Sequence, residues 1–140
     1  PENMGLLLSS AVALKYDGIF IMGGSVDPFN YKVLEASQGV AWTLPYCYGT
    51  AAELISLCER QRLARCSADA DGASLSSLPS RPDGKAGFCL AIGNEAHGVT
   101  KDVRSGSTCV ALPMSELVES LNAGVAGGIL MHSLACAWGR

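Results

Sequence analysis

Polar side chains suited to chemistry are concentrated in two loops, and each loop follows a short apolar run. The first loop spans residues 93–98, where Glu95 is a hydrogen-bonding carboxylate and His97 has the side chain of a general base. The second loop spans residues 113–122 and ends with Asn122. In an open parallel sheet, ligands bind beyond the carboxyl ends of the strands. We therefore expect the two loops to border one ligand site.

Simpler structural roles for these side chains stay open at this stage. Asn94 and Glu95 are also common in turns, and His97 suits an exposed loop. Ser120 and Asn122 stand immediately before an apolar segment, where either side chain can cap a helix. The sequence contains no GxGxxG or GxxxxGK phosphate-binding loop and no GxSxG nucleophile elbow. Residue types alone thus predict an α/β domain with a ligand site formed by two late loops.

Alternating helical and strand-like segments must position these loops, which favours a parallel α/β sheet. Short apolar runs without polar alternation indicate strands buried on both faces. Predicted helices cover residues 3–15, 28–37, 50–63 and 122–138, and predicted strands cover residues 19–22, 40–44, 88–92 and 108–112. The segment 69–86 is rich in Ser, Asp, Gly and Pro, so we predict a mobile loop or low-complexity insertion there.

Composition narrows the class of protein. The chain has 140 residues, of which 49% are hydrophobic and 16% charged, so disorder and a solvated coiled coil are excluded. We expect one domain over residues 1–140, truncated at its N-terminus because Pro1 stands inside a motif. A net charge of −3 argues against a protein that coats nucleic acid through overall positive charge. The low charge also predicts a large subunit interface.

Cysteine and histidine spacing gives no sign of a metal site. The six cysteines include no CxxC pair, and there are only two histidines, so we expect no metal. Reduced cysteines in apolar runs are typical of an intracellular protein.

The last predicted helix, residues 122–138, is apolar on all sides and has Gly124 and Gly128 in a GxxxG spacing. It is shorter than the ~20 residues that span a bilayer, and His132 interrupts it. We therefore predict no membrane segment. A buried helix is expected instead, with close backbone approach at the glycines and with more than one side covered.

Three motifs in order resemble the SpoU/TrmH family of the SPOUT superfamily. Residues 3–11, NMGLLLSSA, are similar to the family's NxGxxxRTA. Residues 90–98, LAIGNEAHG, are similar to its hydrophobic strand followed by GNExxG. Residues 112–114, LPM, followed by residues 119–126, ESLNAGVA, are similar to its IPM…ESLNVSVA. The resemblance covers nearly the whole chain apart from the predicted insertion.

The resemblance implies both a fold and an activity. The fold would be a parallel-sheet α/β SPOUT domain with a deep trefoil knot on its C-terminal side. The activity would be transfer of a methyl group from S-adenosyl-L-methionine to a ribose 2′-hydroxyl in structured RNA, either ribosomal or transfer RNA. Family members are homodimers and need no metal or membrane. The compartment would be the cytoplasm or an organelle, and a separate RNA-binding region often precedes this domain.

The family's functional positions carry over residue by residue. Those matching its catalytic positions are Asn3, Ser9, Glu95, Ser120 and Asn122. Those matching its cofactor-binding positions are Leu44, Ile92, Gly93, Leu112, Met114 and Leu121. The family holds its cofactor largely through backbone groups, which explains why the second set has no special side chains.

One position departs from the family. Ser9 stands where the family has a catalytic arginine, and an uncharged hydroxyl does not replace a guanidinium beside a phosphate or alkoxide. Either another residue supplies the charge, with Lys15 and Lys32 as nearby candidates, or the chain is a catalytically impaired paralogue that binds RNA as a scaffold. A small-molecule-binding module unrelated to RNA is a third hypothesis, favoured by the negative net charge.

Overall fold

A computed structural model describes residues 1–78 and 80–139. Helices and strands alternate along these residues. The helices are α1 (Glu2–Ala13), α2 (Tyr31–Ala36), α3 (Ala51–Arg60), α4 (Lys101–Arg104) and α5 (Ala123–Ala137). The strands are β1 (Ile19–Met22), β2 (Tyr46–Gly49), β3 (Leu63–Ser74), β4 (Gly87–Ala91) and β5 (Thr108–Ala111). Two 3₁₀ helices cover Val40–Thr43 and Leu75–Ser77.

Each of these strands pairs in parallel with a neighbour, in two separate sheets, and this confirms the predicted α/β class. β1 pairs with β2, beginning at Ile19 opposite Tyr46. β3 is the centre of a three-stranded sheet in the order β4–β3–β5. Because the strands are parallel, the loops that follow β4 and β5 leave the same edge of that sheet. This edge is where the two predicted site loops begin.

The predicted strand at residues 40–44 is wrong. Val40–Thr43 is a 3₁₀ helix, and the strand follows it, after Pro45. Gly39 has a φ of 81°, which turns the chain sharply out of α2, and Thr43 Oγ1 donates a 2.7 Å hydrogen bond to the Val40 carbonyl. The apolar run is buried through Ala41, which is inaccessible to solvent, rather than through strand pairing.

The predicted loop at residues 69–86 is wrong over residues 69–74. β3 runs through it to Ser74, although residues 69–72 leave the ladder, since both Ala68 and Ala73 pair with Val110. A Cβ on Gly72 would lie 2.6 Å from the carbonyl carbon of Cys109, so the close approach needs glycine. Over residues 69–74, the composition that suggested a loop is therefore that of the irregular end of β3, whereas no described residue from 75 to 86 is strand. Pro79, inside the predicted insertion, lies outside the described residues, as does Arg140 of the predicted domain.

Most other predicted boundaries hold to within three residues, and side-chain caps explain where the helices begin. α2 starts at Tyr31 because Asn30 caps it, accepting a 2.9 Å hydrogen bond from the Lys32 amide. Thr50 and Glu53 form a reciprocal capping box at the start of α3. The short helix α4 has no counterpart in the sequence prediction.

α1 and α5 lie parallel and in close contact. A Cβ on Gly124 would lie 2.9 Å from Leu6 Cδ1, and one on Gly128 would lie 3.3 Å from Ser10 Oγ. The GxxxG glycines thus allow close approach, as predicted. Since the contacts advance in the same direction along both helices, their N-terminal ends lie side by side.

Among the described residues, none covers the outer side of α5, so the expected cover on this side stays a prediction that depends on the expected subunit interface. Val125 and Ile129 are 50% and 43% exposed, and His132 and Cys136 continue the same stripe. Leu6 of α1 is exposed beside them. Within residues 1–78 and 80–139, no helix is both long and apolar enough to cross a membrane.

Candidate functional site

Three predicted catalytic residues form one hydrogen-bonded chain. Asn122 Nδ2 donates to Asn3 Oδ1 at 2.9 Å, and Asn3 Nδ2 donates to Glu95 Oε1 at 2.9 Å. The three side chains come from the start of α5, the first turn of α1 and the loop after β4. The parallel packing of α1 and α5 at the sheet edge brings them together.

The helix cap on α5 fixes which side-chain atoms donate and which accept in these two hydrogen bonds. Asn122 Oδ1 accepts hydrogen bonds from the Gly124 and Val125 amides, at 2.9 and 3.2 Å. An amide side chain has one oxygen and one NH₂ group, so only Nδ2 of Asn122 remains to face Asn3. Asn3 must then present its oxygen to Asn122 and its NH₂ group to Glu95. Asn122 therefore caps α5 and also contacts Asn3, a second predicted catalytic residue.

The loop after β4 is held by its own backbone. Asn94 accepts hydrogen bonds from the Gly98 amide at its carbonyl, at 2.9 Å, and from the His97 amide at Oδ1, at 2.7 Å. A Cβ on Gly93 would collide with the backbone of Gly98 and Val99. The tight turn supports Glu95 beside Asn3. It also shows that Asn94 has the turn role that was left open.

A first cleft, of about 270 Å³, lies between the two late loops. Its lining residues are Gly93, Asn94, Glu95, Ser120, Leu121, Asn122 and Ala123. Three predicted catalytic residues and two predicted cofactor-binding residues are thus brought together. His97 is exposed and does not line this cleft.

The second cleft, of about 300 Å³, shares Asn122 with the first. It is lined by Pro1, Glu2, Asn3, Lys32 and Asn122. Lys32 was only a nearby candidate from sequence, because no motif marks it. It is the one basic side chain among the described residues that line either cleft.

Ser9 lies apart from both clefts. It is half-buried on α1, six residues after Asn3 and therefore about 9 Å further along the helix. Neither cleft includes it in its lining.

The other predicted cofactor-binding residues do not line the clefts either. Leu44 packs against the core cluster of Leu8, Val33 and Ala41. Ile92 directly precedes Gly93, but its Cδ1 points to α5, 3.0 Å from where a Cβ on Gly127 would lie.

Leu112 and Met114, the last two predicted cofactor-binding residues, follow β5. Leu112 follows β5 directly and is half-buried, while Met114 is 41% exposed. The structure therefore groups Gly93 with Leu121 and leaves the remaining predicted cofactor contacts as predictions.

The grouped side chains can align a substrate through hydrogen bonds. The first cleft offers a carboxylate held by an amide, a hydroxyl and a glycine-lined backbone. Across residues 1–78 and 80–139, His, Cys, Asp and Glu form no cluster of three or more placed to hold a metal ion.

Known sequences resemble this chain over nearly all of its length. Residues 1–132 match the sequence profile of the SpoU rRNA Methylase family. The chain is 26% identical over 136 residues to the 23S rRNA (guanosine(2553)-2′-O)-methyltransferase RlmP of Bacillus subtilis, covering 96% of this chain and 53% of that protein. It is 29% identical over 133 residues to the 23S rRNA (adenosine(1067)-2′-O)-methyltransferase of Streptomyces azureus, covering 93% and 48%. The chain thus spans about half the length of these curated relatives.

Solved structures share the fold. An AdoMet-bound rRNA methyltransferase from Sinorhizobium meliloti superposes with a TM-score of 0.85 at 21% identity, covering 96% of this chain and 51% of that one. The SpoU methyltransferase AviRb from Streptomyces viridochromogenes, in complex with AdoMet, gives a TM-score of 0.83 at 24% identity, covering 97% and 53%. The parallel α/β architecture is therefore the one these two methyltransferases adopt.

Proposed function

This chain belongs to the SpoU rRNA methylase family, and from that premise we propose that it transfers a methyl group from S-adenosylmethionine to a ribose 2′-hydroxyl of ribosomal or transfer RNA. The observation that carries the proposal is the hydrogen-bonded chain from Asn122 through Asn3 to Glu95 beside the first cleft. These three residues occupy all three family motifs. Their meeting in space agrees with a site that the motifs build jointly.

Cofactor binding is assigned to the first cleft. Gly93 and Leu121 line it, and the tight backbone turn after Gly93 suits a ligand held by main-chain groups rather than by charged side chains. When bound, S-adenosylmethionine supplies an electrophilic methyl group on a sulfonium centre. We assign Ile92, Leu112, Met114 and Leu44 to the same cofactor on the family resemblance alone.

The protein's own contribution is alignment. A ribose hydroxyl is a weak acid, so its attack on a methyl group benefits from a fixed hydrogen-bond acceptor and a fixed direction of approach. Asn3 holds the Glu95 carboxylate at the cleft, where it can accept the hydroxyl proton. Ser120 lines the same cleft and offers a second hydrogen-bonding group.

The proposal also includes the oligomeric state, the knot, the domain and the cellular compartment. The exposed stripe of α5, with Val125 and Ile129, serves as a homodimer interface. The segment after β5 contributes to a trefoil knot, and residues 1–140 act as one methyltransferase domain of a protein working in the cytoplasm or an organelle.

A second candidate is favoured by one observation. No basic side chain is found among the described residues that line the first cleft. With Ser9 in place of the family's arginine, the chain would then bind cofactor and RNA without efficient turnover and act as an RNA-binding scaffold.

Two measurements test the function. Calorimetric titration with S-adenosylmethionine reports binding, and transfer of a tritiated methyl group to RNA lacking the modification reports catalysis, with 2′-O-methylnucleosides identified after digestion. Glu95→Gln should bind the cofactor normally but slow transfer, whereas Glu116→Gln, on the second loop outside the cleft lining, should match the parent.

The outcomes separate the hypotheses. Failure to bind S-adenosylmethionine, or methylation of a base instead of the ribose, would overturn the proposed function. Binding of cofactor and RNA with no transfer by the parent would replace it with the scaffold candidate.

A further inference from the structure

Lys32 places a positive charge beside the candidate catalytic chain. Its side chain is exposed and lines the second cleft together with Asn3 and Asn122. The other charged side chain in that cleft is Glu2. Lys32 is thus the basic side chain of this cleft, and an ammonium group can contact a phosphate as a point charge.

Phe29, three residues before Lys32 in the sequence, belongs to an exposed aromatic stack. The rings of Phe29 and Trp42 are stacked, with centroids 4.6 Å apart and planes 24° apart. Trp42 is nevertheless 65% exposed, and Tyr31, next to Lys32, is 69% exposed. Phe29 and Lys32 therefore flank the cap of α2 at Asn30, and the Trp42 ring reaches this end of α2 through its contact with Phe29.

The Trp42 indole is pre-ordered for stacking. The Phe29 ring stacks on the Trp42 indole. Tyr46 packs edge-on against Phe29, with ring centroids 5.2 Å apart. Ala41, which precedes Trp42 in the sequence, is fully buried and anchors the 3₁₀ helix to the core. A large ring held this way yet left in water loses little conformational freedom when a second flat group covers it.

We propose that Lys32 and Trp42 form the entrance for the RNA, with Lys32 contacting a backbone phosphate and Trp42 stacking on an unpaired base. The proposal rests on the proposed function, because it names the surface that delivers RNA to that site. An unpaired strand fits better than a duplex, since the bases of a duplex are already stacked on each other and offer no free face. The combination of a cation and an ordered aromatic ring is the common chemistry of single-strand recognition.

Fluorescence anisotropy with a labelled unpaired RNA oligonucleotide, measured over a range of KCl concentrations, tests the entrance. Lys32→Gln should weaken binding and lower the slope of log affinity against log salt by about 0.7, the value for one phosphate contact on a single strand. Trp42→Ala should weaken binding by about tenfold with the slope unchanged, and Trp42→Phe should restore most of it. Lys15→Gln is the matched control, because Lys15 is also exposed but follows the far end of α1, about 15 Å from Asn3.

The outcomes distinguish a failure of the proposed entrance from a failure of the proposed function. Calorimetry with S-adenosylmethionine should give the parental affinity for both variants. If the parent methylates RNA while Lys32→Gln and Trp42→Ala bind the oligonucleotide as the parent does, the entrance is wrong and the function stands. If both variants lose RNA binding although the parent shows no transfer, the entrance stands and the function fails. Conversion of a dimer to a monomer by Trp42→Ala would overturn the entrance by making this surface a subunit interface.

Discussion

Asn122 and Asn3, 119 residues apart in the chain, are joined by a 2.9 Å hydrogen bond from Asn122 Nδ2 to Asn3 Oδ1. The bond has one possible direction because Asn122 Oδ1 already accepts from two amides at the start of α5. A helix cap therefore orients Asn3, and Asn3 in turn orients the Glu95 carboxylate. The same amide group thus caps α5 and orients two predicted catalytic side chains.

Asn122→Asp separates these two roles. Aspartate caps a helix as well as asparagine does, and its charge suits the N-terminal dipole, so the melting temperature should stay within about 2 °C of the parent. It has no donor for Asn3, whose NH₂ group would turn away from Glu95. We expect kcat to fall by up to about 10²-fold at saturating RNA, as misalignment of a reacting group allows.

Thermal unfolding and initial rates check this prediction, with the same change at another cap as control. Asn30→Asp, at the cap of α2, should keep both stability and kcat. Asn122→Ala should lose the cap as well, about 1 kcal/mol of stability. Parental kcat in Asn122→Asp would show that the hydrogen-bonded chain does not position the site.

Gly93→Ala should weaken cofactor binding because it distorts the loop, not because the new methyl group contacts the cofactor. The added Cβ would collide with the backbone of Gly98 and Val99, so the turn that shapes the first cleft must open. Overpacking of this kind costs about 1–3 kcal/mol, and we expect S-adenosylmethionine affinity to fall at least about tenfold. Gly23→Ala is the control, because a Cβ on Gly23 meets no atom within 4 Å. Calorimetry in which both variants bind like the parent would remove this loop from the cofactor site.

The family motifs name Asn3, Glu95 and Asn122 as site residues, and the structure brings these three side chains into contact. The motifs do not mark Lys32, which reaches the second cleft because α2 packs against α1. Lysines on exposed helices carry no sequence signal for what lies beside them.

The fold shows the same limit at β3 and the first 3₁₀ helix. β3 contains Ala68 and Ala73, which are poor strand formers and are strand because both pair with Val110 of β5, whereas Asp69, Asp71 and Gly72 leave the ladder. Residues 40–44 are apolar enough for a strand, but Gly39 with its left-handed φ turns them into a 3₁₀ helix. Tertiary pairing overrides local propensity in the first case, and backbone conformation overrides the hydrophobic pattern in the second.

The exposed stripe of α5 predicts a homodimer. Ile129→Glu would bury a carboxylate against an apolar partner surface, so sedimentation should show a dimer for the parent and a monomer for the variant. Ala52→Glu, on the exposed side of α3, should stay dimeric. Cys136 lies on the same stripe and should react faster with iodoacetamide in Ile129→Glu than in the parent. A parent that sediments as a monomer at micromolar concentration rules out this interface.

Thiol reactivity should follow burial. Burial raises the pKa of Cys66 to about 11, so at pH 8 it is a neutral thiol and a poor nucleophile. Cys47 is exposed and should be alkylated within a short pulse of iodoacetamide, while Cys66 stays unmodified until the protein unfolds. Peptide mass spectrometry at pH 8, with and without denaturant, measures both. Equal labelling of the two thiols in the folded protein would contradict the buried position of β3.

Ser9→Arg tests whether this chain is an efficient catalyst without the family's arginine. Ser9 lies outside both clefts, and Lys32 already places a positive charge beside Asn3. We therefore expect the parent to transfer methyl groups and Ser9→Arg to change kcat by less than about threefold, far below the 10²–10³ that a needed electrostatic group contributes. The measurement is tritiated methyl transfer to RNA lacking the modification, with cofactor affinity and melting temperature recorded for both proteins to show that the half-buried position accepts arginine. Ser9→Gln controls for side-chain size without charge. An inactive parent that gains 10²-fold or more from Ser9→Arg, and nothing from Ser9→Gln, would establish the scaffold candidate.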